Sequence, residues 1–185
     1  EQKEIKNVML FLQSKGVSTA YAVKIFKTYG NESIEIVKEN PYRLADDIWG
    51  IGFKTADKIA QQMGFEKNSF ERCRSGIVYV LNELSNDGHC FLPREKLVVE
   101  TEQMLGIEKE LIDATLDRLI EEKILISDEG DAVFLPPFYY SEVGTAQRIK
   151  EIISIKSNYA KTDIEGIIED IQRRHRIKYD EVQKE

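Results

Sequence analysis

The chain has few of the residues that metal centres and disulfide frameworks require. Its 185 residues include only two cysteines and two histidines, and their spacing matches no metal-binding pattern. We therefore predict no metal site, and two buried, reduced thiols at Cys73 and Cys90. No apolar run approaches the roughly 20 residues that cross a bilayer, and no signal peptide is visible. These absences predict a cytoplasmic protein that has no membrane partner.

The sequence also lacks the features of an enzyme active site. Nothing in it matches the phosphate loop G-x-x-x-x-G-K-[ST]. His89 and His175 have no acid or nucleophile in a recognisable arrangement around them. We therefore predict no catalytic residue and no cofactor in this segment, and no ATP hydrolysis by it alone.

Acidic charge is concentrated in the middle of the chain, which gives the net charge of −7. Residues 1–68 hold 10 Lys and Arg against 9 Asp and Glu. Residues 69–137 hold 7 against 15, and residues 138–185 hold 9 against 9. These shifts predict three domains with those bounds. The first tolerates a polyanion and the second repels one.

A glycine-rich turn followed by an amphipathic helix is the most informative stretch. Gly50 and Gly52 flank Ile51, and apolar residues such as Ala56 and Ile59 then recur at helical spacing. The first amides of such a helix have no internal acceptor, and the helix dipole makes that end partly positive. Lys54 adds a cation beside it. The pattern predicts an anion site.

This stretch resembles the helix-hairpin-helix motif, an apolar-x-Gly-apolar-Gly-x-x-x-Ala pattern that Ile48, Gly50, Ile51, Gly52 and Ala56 match in register. The resemblance implies a grip on one phosphate of a DNA backbone without base reading. The expected DNA-binding residues are Gly50, Ile51, Gly52, Phe53, Lys54 and Thr55. The alternative is an ordinary helical hairpin whose glycines only close the turn.

An earlier stretch looks like a degenerate first copy of the same motif. Gly16, Val17 and Ser18 stand where the second copy has glycine, isoleucine and glycine, so serine replaces the second glycine. Ser18 or Thr19 can cap the next helix, which keeps its amides outward but narrows the approach. We expect these four residues to be a second, weaker DNA contact. Short helices between the copies complete the order of a tandem helix-hairpin-helix domain, in which we expect Trp49 to be core; the alternative is that Trp49 stacks on a base.

Residues 69–137 read as helix, strand, two helices and a β-hairpin, which is the order of a winged helix. Its third helix normally reads a DNA groove. Here that helix and the wing tip are acidic, so we interpret the unit as a spacer or a protein-docking module. The acidic positions are Glu108, Glu110, Asp113, Asp117, Glu121 and Glu122 on the helix, and Asp128, Glu129 and Asp131 at the tip.

The last part, residues 138–185, reads as a helical linker that follows Pro136 and Pro137. We expect one helix to turn Val143, Ala146, Ile149 and Ile153 inward. A second helical segment spans residues 161–174. The basic run from Arg173 to Arg176 is either a solvated face or a phosphate contact.

The final residues, Ile177 to Glu185, are similar to the segment that precedes the phosphate loop of superfamily-one helicases. In those enzymes a glutamine binds the adenine of ATP, which makes Gln183 the nucleotide-binding candidate. With the tandem hairpins and the stretch from Asn40 to Asp57, the chain resembles the RecD-like ATP-dependent DNA helicases, related to the alpha subunit of exodeoxyribonuclease V.

The fold class expected is thus mainly α: a tandem helix-hairpin-helix domain, a winged-helix-like α+β unit and a helical linker. The resemblance implies an accessory region that precedes a 5′→3′ motor acting in recombination and repair. ATP and Mg²⁺ would serve the motor, and single-stranded or forked DNA and the motor itself would be the partners. A stand-alone DNA-repair adaptor and a protein-interaction module without DNA remain the alternatives.

Overall fold

The computed structural model describes residues 2–128, 131–155 and 163–183. Within these ranges the chain is mainly α-helical and carries a small three-stranded sheet, which confirms the fold class. The helices are α1 Gln2–Ser14, α2 Thr19–Tyr29, α3 Ser33–Glu39, α4 Arg43–Asp47, α5 Phe53–Gln62, α6 Phe70–Asn86, α7 Arg94–Leu105, α8 Lys109–Glu121, α9 Pro136–Ser154 and α10 Ile164–His175. The strands are β1 Phe91–Pro93, β2 Ile126–Asp128 and β3 Ala132–Phe134. Two short 3₁₀ turns occupy Gly30–Glu32 and Glu181–Gln183.

The chain divides into two compact units, Glu1–Glu142 and Val143–Glu185. The first contains both hairpins and the winged-helix-like part, and the second contains the end of α9 and α10. The bounds 1–68, 69–137 and 138–185 remain predictions.

Two helical hairpins, α1–α2 and α4–α5, form the first part of the larger unit. Both repeat the same chemistry after their turns: Ala22 and Ile25 are buried in α2, as are Ala56 and Ile59 in α5. A small residue followed three positions later by a β-branched one lets each helix pack closely against its partner. The connector α3 adds Val37, which is fully buried.

The winged-helix-like part follows the predicted order α6, β1, α7, α8, β2, β3. The antiparallel strands lie in the order β1-β3-β2, and β3 pairs Val133 with Leu92 on one side and with Ser127 on the other. Leu92 and Val133 are buried, so one face of the sheet covers the helices.

A buried ion pair joins the hairpins to the winged-helix-like part. The guanidinium of Arg72 (α6) donates from Nε and Nη2 to both carboxylate oxygens of Asp57 (α5), at 2.8 and 3.2 Å. Its Nη1 donates to the carbonyls of Lys67 and Leu105, at 3.0 and 3.1 Å. The hydroxyl of Tyr42 donates to Asp57 at 2.8 Å, and burial together with that carboxylate raises the pKa of Tyr42. The arrangement satisfies both charges, as burial demands.

One expectation in these segments, the burial of both thiols, is wrong. Cys90 is exposed, because it lies in the turn before β1, whereas Cys73 is buried as expected. Pro136 opens α9, since proline suits the first turn of a helix, and the end of the winged-helix-like unit at this point stays a prediction. The wing-tip positions Glu129 and Gly130 lie outside the described residues, as do positions 161 and 162 of the second helical segment.

The apolar positions predicted to face inward in α9 are also exposed. Their exposed fractions are 36% at Val143, 51% at Ile149 and 77% at Ile153, and Ala146 is exposed as well. The apolar periodicity therefore predicted the helix correctly but not the exposure of these four side chains.

Candidate nucleic-acid interface

The conformation of the α4–α5 turn, the second turn, depends on two buried isoleucines and a glycine. Ile48 and Ile51 are buried, and the Ile51 amide donates to the Ile48 carbonyl at 3.0 Å. Gly50, between them in the turn, has φ +88°, a conformation that side chains other than glycine rarely adopt. Gly52 has φ −91° and ψ 173°, which is ordinary extended backbone, and a Cβ there would meet no atom within 4 Å. The two glycines therefore serve different purposes: Gly50 makes the turn, and Gly52 keeps the surface bare.

The start of α5 presents free amides beside Gly52. Within the described part of the chain, the amides of Gly52, Phe53 and Lys54 have no acceptor, whereas those of Thr55 and Ala56 donate to the Gly52 carbonyl. No side chain caps this helix end. The uncapped donors and the dipole behind them favour an anion at this point.

The predicted site residues at this hairpin fall into two groups. Ile51 and Phe53 are buried, with Phe53 stacked between Tyr42 and Tyr79, so they offer only backbone to a ligand. Lys54 is exposed and Thr55 is half-buried, so both present side chains as well. The Lys54 ammonium lies 5.7 Å from the centre of the Tyr79 ring.

The α1–α2 turn, the first turn, has a similar backbone conformation to the second turn but different exposed side chains. Gly16 has φ +72°, Val17 is buried, and Ser18 is the extended N-cap of α2. The Ser18 hydroxyl accepts a hydrogen bond from the Tyr21 amide at 3.3 Å. Thr19 accepts one from Gln13 at 3.1 Å. The structure thus places a side-chain cap where the second turn has bare backbone, as the sequence predicts for Ser18.

A groove of about 300 Å³ brings residues of both hairpins together. Its first wall comes from the α1–α2 turn and the start of α2, and its second from the first turns of α5. The lining residues are Gly16, Val17, Ser18, Tyr21, Lys54, Thr55, Lys58 and Ile59. Five of the ten predicted contact positions line this groove, and the other five, Gly50, Ile51, Gly52, Phe53 and Thr19, do not. Lys54 and Lys58 supply its cations. Sequence reasoning missed Lys58, whose position one turn after Lys54 on α5 was the available signal.

The two hairpins also contact each other in a reciprocal way. Lys24 of α2 donates to the carbonyl of Trp49 at the second turn, at 3.3 Å. At the first turn, a Cβ built on Gly16 would overlap the side-chain amide of Gln62 in α5. Each turn therefore packs against the second helix of the other hairpin.

Trp49, expected in the core, is the most exposed large apolar residue described, with 93% of its surface accessible. It lies next to Gly50 at the apex of the second turn, where Ile48 and Ile51 already fill the inward positions. The Lys24 ammonium lies 5.7 Å from the centre of its ring. Because Ile48 and Ile51 occupy the inward-facing positions of the folded turn, the Trp49 side chain is left exposed, and its apolar neighbours in the sequence gave no sign of this.

The acidic helix α8 is partly neutralised. Arg94 donates to Asp113 at 3.0 Å and to Asp117 at 2.6 Å, and Arg118 donates to Glu122 at 2.7 Å. The remaining acidic positions on or beside the helix are Glu108, Glu110 and Glu121, all exposed. Its surface is still unsuited to phosphate, since the arginines are already bound to carboxylates.

The predicted sites in the second unit are occupied by local contacts. The Gln183 side chain accepts a hydrogen bond from the Asp180 amide at 3.1 Å, within the last short turn. Arg173 and Arg174 both donate to Asp170, at 2.8 and 2.6 Å, and these arginines lower the pKa of that carboxyl. Arg176 ends α10 in a left-handed conformation.

The described ranges offer neither a metal centre nor a membrane span. No group of three or more His, Cys, Asp or Glu side chains is arranged there to hold a metal ion. None of the helices described is both long and apolar enough to cross a membrane.

Two like turns, reciprocal packing and a shared basic groove define a tandem helix-hairpin-helix protein, here joined to a winged-helix-like unit. Comparison with known proteins narrows the class. Residues 1–91 match the family model of the ATP-dependent RecD2 DNA helicase HHH domain. The ATP-dependent RecD2 DNA helicase of Deinococcus radiodurans is 28% identical over 162 residues, which cover 80% of this chain and 22% of the relative. These two matches support a RecD-like helicase accessory region. The chain spans about a fifth of the length of that relative.

Proposed function

We propose that this chain holds DNA by its backbone, independent of sequence, as an accessory region of an ATP-dependent 5′→3′ DNA helicase that acts in recombination and repair. The observation that carries the proposal is the uncapped start of α5, where the amides of Gly52, Phe53 and Lys54 have no acceptor and the Lys54 side chain is exposed. The match of residues 1–91 to a helicase helix-hairpin-helix domain supports it.

The chemistry of the groove suits a phosphate diester. Amides at a helix start donate hydrogen bonds to anionic oxygens, and the dipole favours negative charge there. Lys54 and Lys58 add two mobile cations. Such contacts fix the position of the DNA backbone and carry no base information. Gly16, Val17, Ser18 and Thr19 form the weaker second contact, because the Ser18 cap uses one amide of α2.

The remaining regions take supporting roles in the proposal. The winged-helix-like unit faces the motor or another protein, since its α8 surface is acidic. Gln183 contacts the adenine of ATP in the complete helicase, where ATP and Mg²⁺ serve the motor domain. The complete protein works in the cytoplasm on single-stranded or forked DNA.

The test is a salt series of DNA affinity for the 185-residue chain and its folded Lys54→Ala and Gly52→Val variants. Lys54→Ala should weaken binding of every sequence equally and flatten the slope of log affinity against log salt by about one unit. Gly52→Val should fold, because its φ of −91° suits valine and its Cβ meets no atom. It should weaken binding, because a branched side chain would stand between the amides and the phosphate.

Lys96→Ala is the matched control, since Lys96 is an exposed lysine of α7 outside the groove. It should leave both affinity and slope near those of the wild type. Wild-type binding by both groove variants would show that the second hairpin is only a structural turn. An absence of DNA binding by the wild type would favour the protein-interaction alternative.

A further inference from the structure

The apex of the second hairpin combines an exposed indole with a neighbouring cation. Trp49 is 93% exposed, although a tryptophan side chain gains more than almost any other from burial. Lys24 links this apex to α2, because its ammonium donates to the Trp49 carbonyl at 3.3 Å and lies 5.7 Å from the ring centre. Isolated apolar residues at a surface need no explanation. A tryptophan anchored beside a phosphate site does.

The charges around Trp49 favour a polyanion. The two nearest carboxylates are already bound: Asp47 accepts from Arg43 and Tyr29, and Asp46 accepts from Arg74. The free amides of the α5 start lie within a few residues on the other side. A ligand at the apex would thus meet the indole of Trp49, the ammonium of Lys24 and the free backbone amides at the start of α5.

We infer that Trp49 stacks on an unpaired nucleobase of the DNA strand whose phosphate the second hairpin holds. This inference rests on the proposed function and adds the residue and the contact by which the site would distinguish unpaired from paired DNA. Aromatic side chains bind single-stranded nucleic acid by stacking, because every base offers a π face. In a duplex those faces are covered by neighbouring base pairs, and exposing them costs unstacking energy. The apex therefore selects a single strand or a fork over a blunt duplex.

Trp49 is the only tryptophan in the chain, so its fluorescence reports the apex alone. The experiment titrates the 185-residue chain with a single-stranded oligonucleotide, and separately with the corresponding blunt duplex, at one salt concentration. Binding is followed in parallel by the anisotropy of labelled DNA. The single strand should quench the tryptophan emission as it binds, and the duplex should quench it much less at equal occupancy.

Variants separate stacking from phosphate binding. Trp49→Ala should weaken single-strand binding roughly fivefold to a hundredfold, the range for loss of one stacked base. It should leave the salt slope unchanged, because no phosphate contact is removed. Trp49→Phe should keep most of the affinity, since a ring remains. The exposed position makes both variants fold, which circular dichroism checks.

The outcomes distinguish this inference from the function beneath it. Bound single strand without quenching, equal quenching by the duplex, or wild-type affinity of Trp49→Ala would each overturn the stacking inference while DNA binding stands. A flat anisotropy signal with every DNA would overturn both.

Discussion

Replacing Arg72 with methionine should destabilise the protein more than any surface substitution, because it leaves a buried carboxylate without its cation. The side chains of Arg72 and Asp57 are only 7% and 13% exposed. Methionine fills part of the space but makes none of the four hydrogen bonds of the guanidinium. Removal of one partner of a buried pair costs about 3–5 kcal/mol. We expect a value near the lower end, since Asp57 keeps the hydrogen bonds from Tyr42 and Gln61.

Urea unfolding followed by far-UV circular dichroism measures this loss. Arg148→Met is the matched control, because Arg148 and Glu151 form an ion pair whose side chains are 73% and 63% exposed. The control should cost about 0–1 kcal/mol. The double variant Arg72→Met with Asp57→Asn should cost well under the sum of the two single changes, because no charge is then left buried. A loss for Arg72→Met as small as that of the control would refute the assignment of this pair as the junction between the hairpins and the winged-helix-like part.

Two further predictions follow from backbone and side-chain geometry. Gly50→Ala should lower the free energy of unfolding by about 1–2 kcal/mol, because φ at Gly50 is +88°. Gly52→Ala should change the free energy of unfolding by no more than about 0.5 kcal/mol. Equal losses of the two variants in urea unfolding would contradict the division of roles between the glycines. Stability should also fall as pH rises above 10, the ordinary pKa of tyrosine, because burial raises the pKa of Tyr42 and Tyr29 and the unfolded chain releases these protons first. The Tyr42→Phe/Tyr29→Phe variant should lose less stability between about pH 9 and pH 11, and an unchanged pH dependence would show that these tyrosines are not responsible.

The hairpins were predictable because local chemistry determines them. Each turn needs three residues in order: one in the left-handed conformation, one apolar residue that points inward, and one extended residue before the helix. Glycine meets the first need, valine or isoleucine the second, and serine or glycine the third. The same holds for the order of the winged-helix-like part, where periodicity changes from helix to strand at Phe91 and Ile126. Neither feature depends on contacts between distant residues.

The features that escaped prediction depend on tertiary packing. Trp49 stands among apolar residues in sequence, but only the folded turn shows that Ile48 and Ile51 fill the inward directions. The Arg72–Asp57 pair joins residues from different helices, and sequence spacing gives no sign of it. The groove cation Lys58 was missed for the same reason, because its role depends on the first hairpin lying opposite.

The differences between the two hairpins bear on how DNA is held. Their backbones agree, since each turn has a glycine at positive φ, a buried apolar residue and an extended cap. Their surfaces differ: Lys15 stands where the second hairpin has Trp49, and Ala20 stands where it has Lys54. Because each turn packs against the second helix of the other hairpin, the proposed function has both hairpins contact one DNA molecule. One copy offers a lysine at its apex and the other an indole, so the pair is matched to a ligand whose two parts differ. A fork, with paired bases on one side and exposed bases on the other, is such a ligand, and in our proposal the stacking contact belongs to the second hairpin alone.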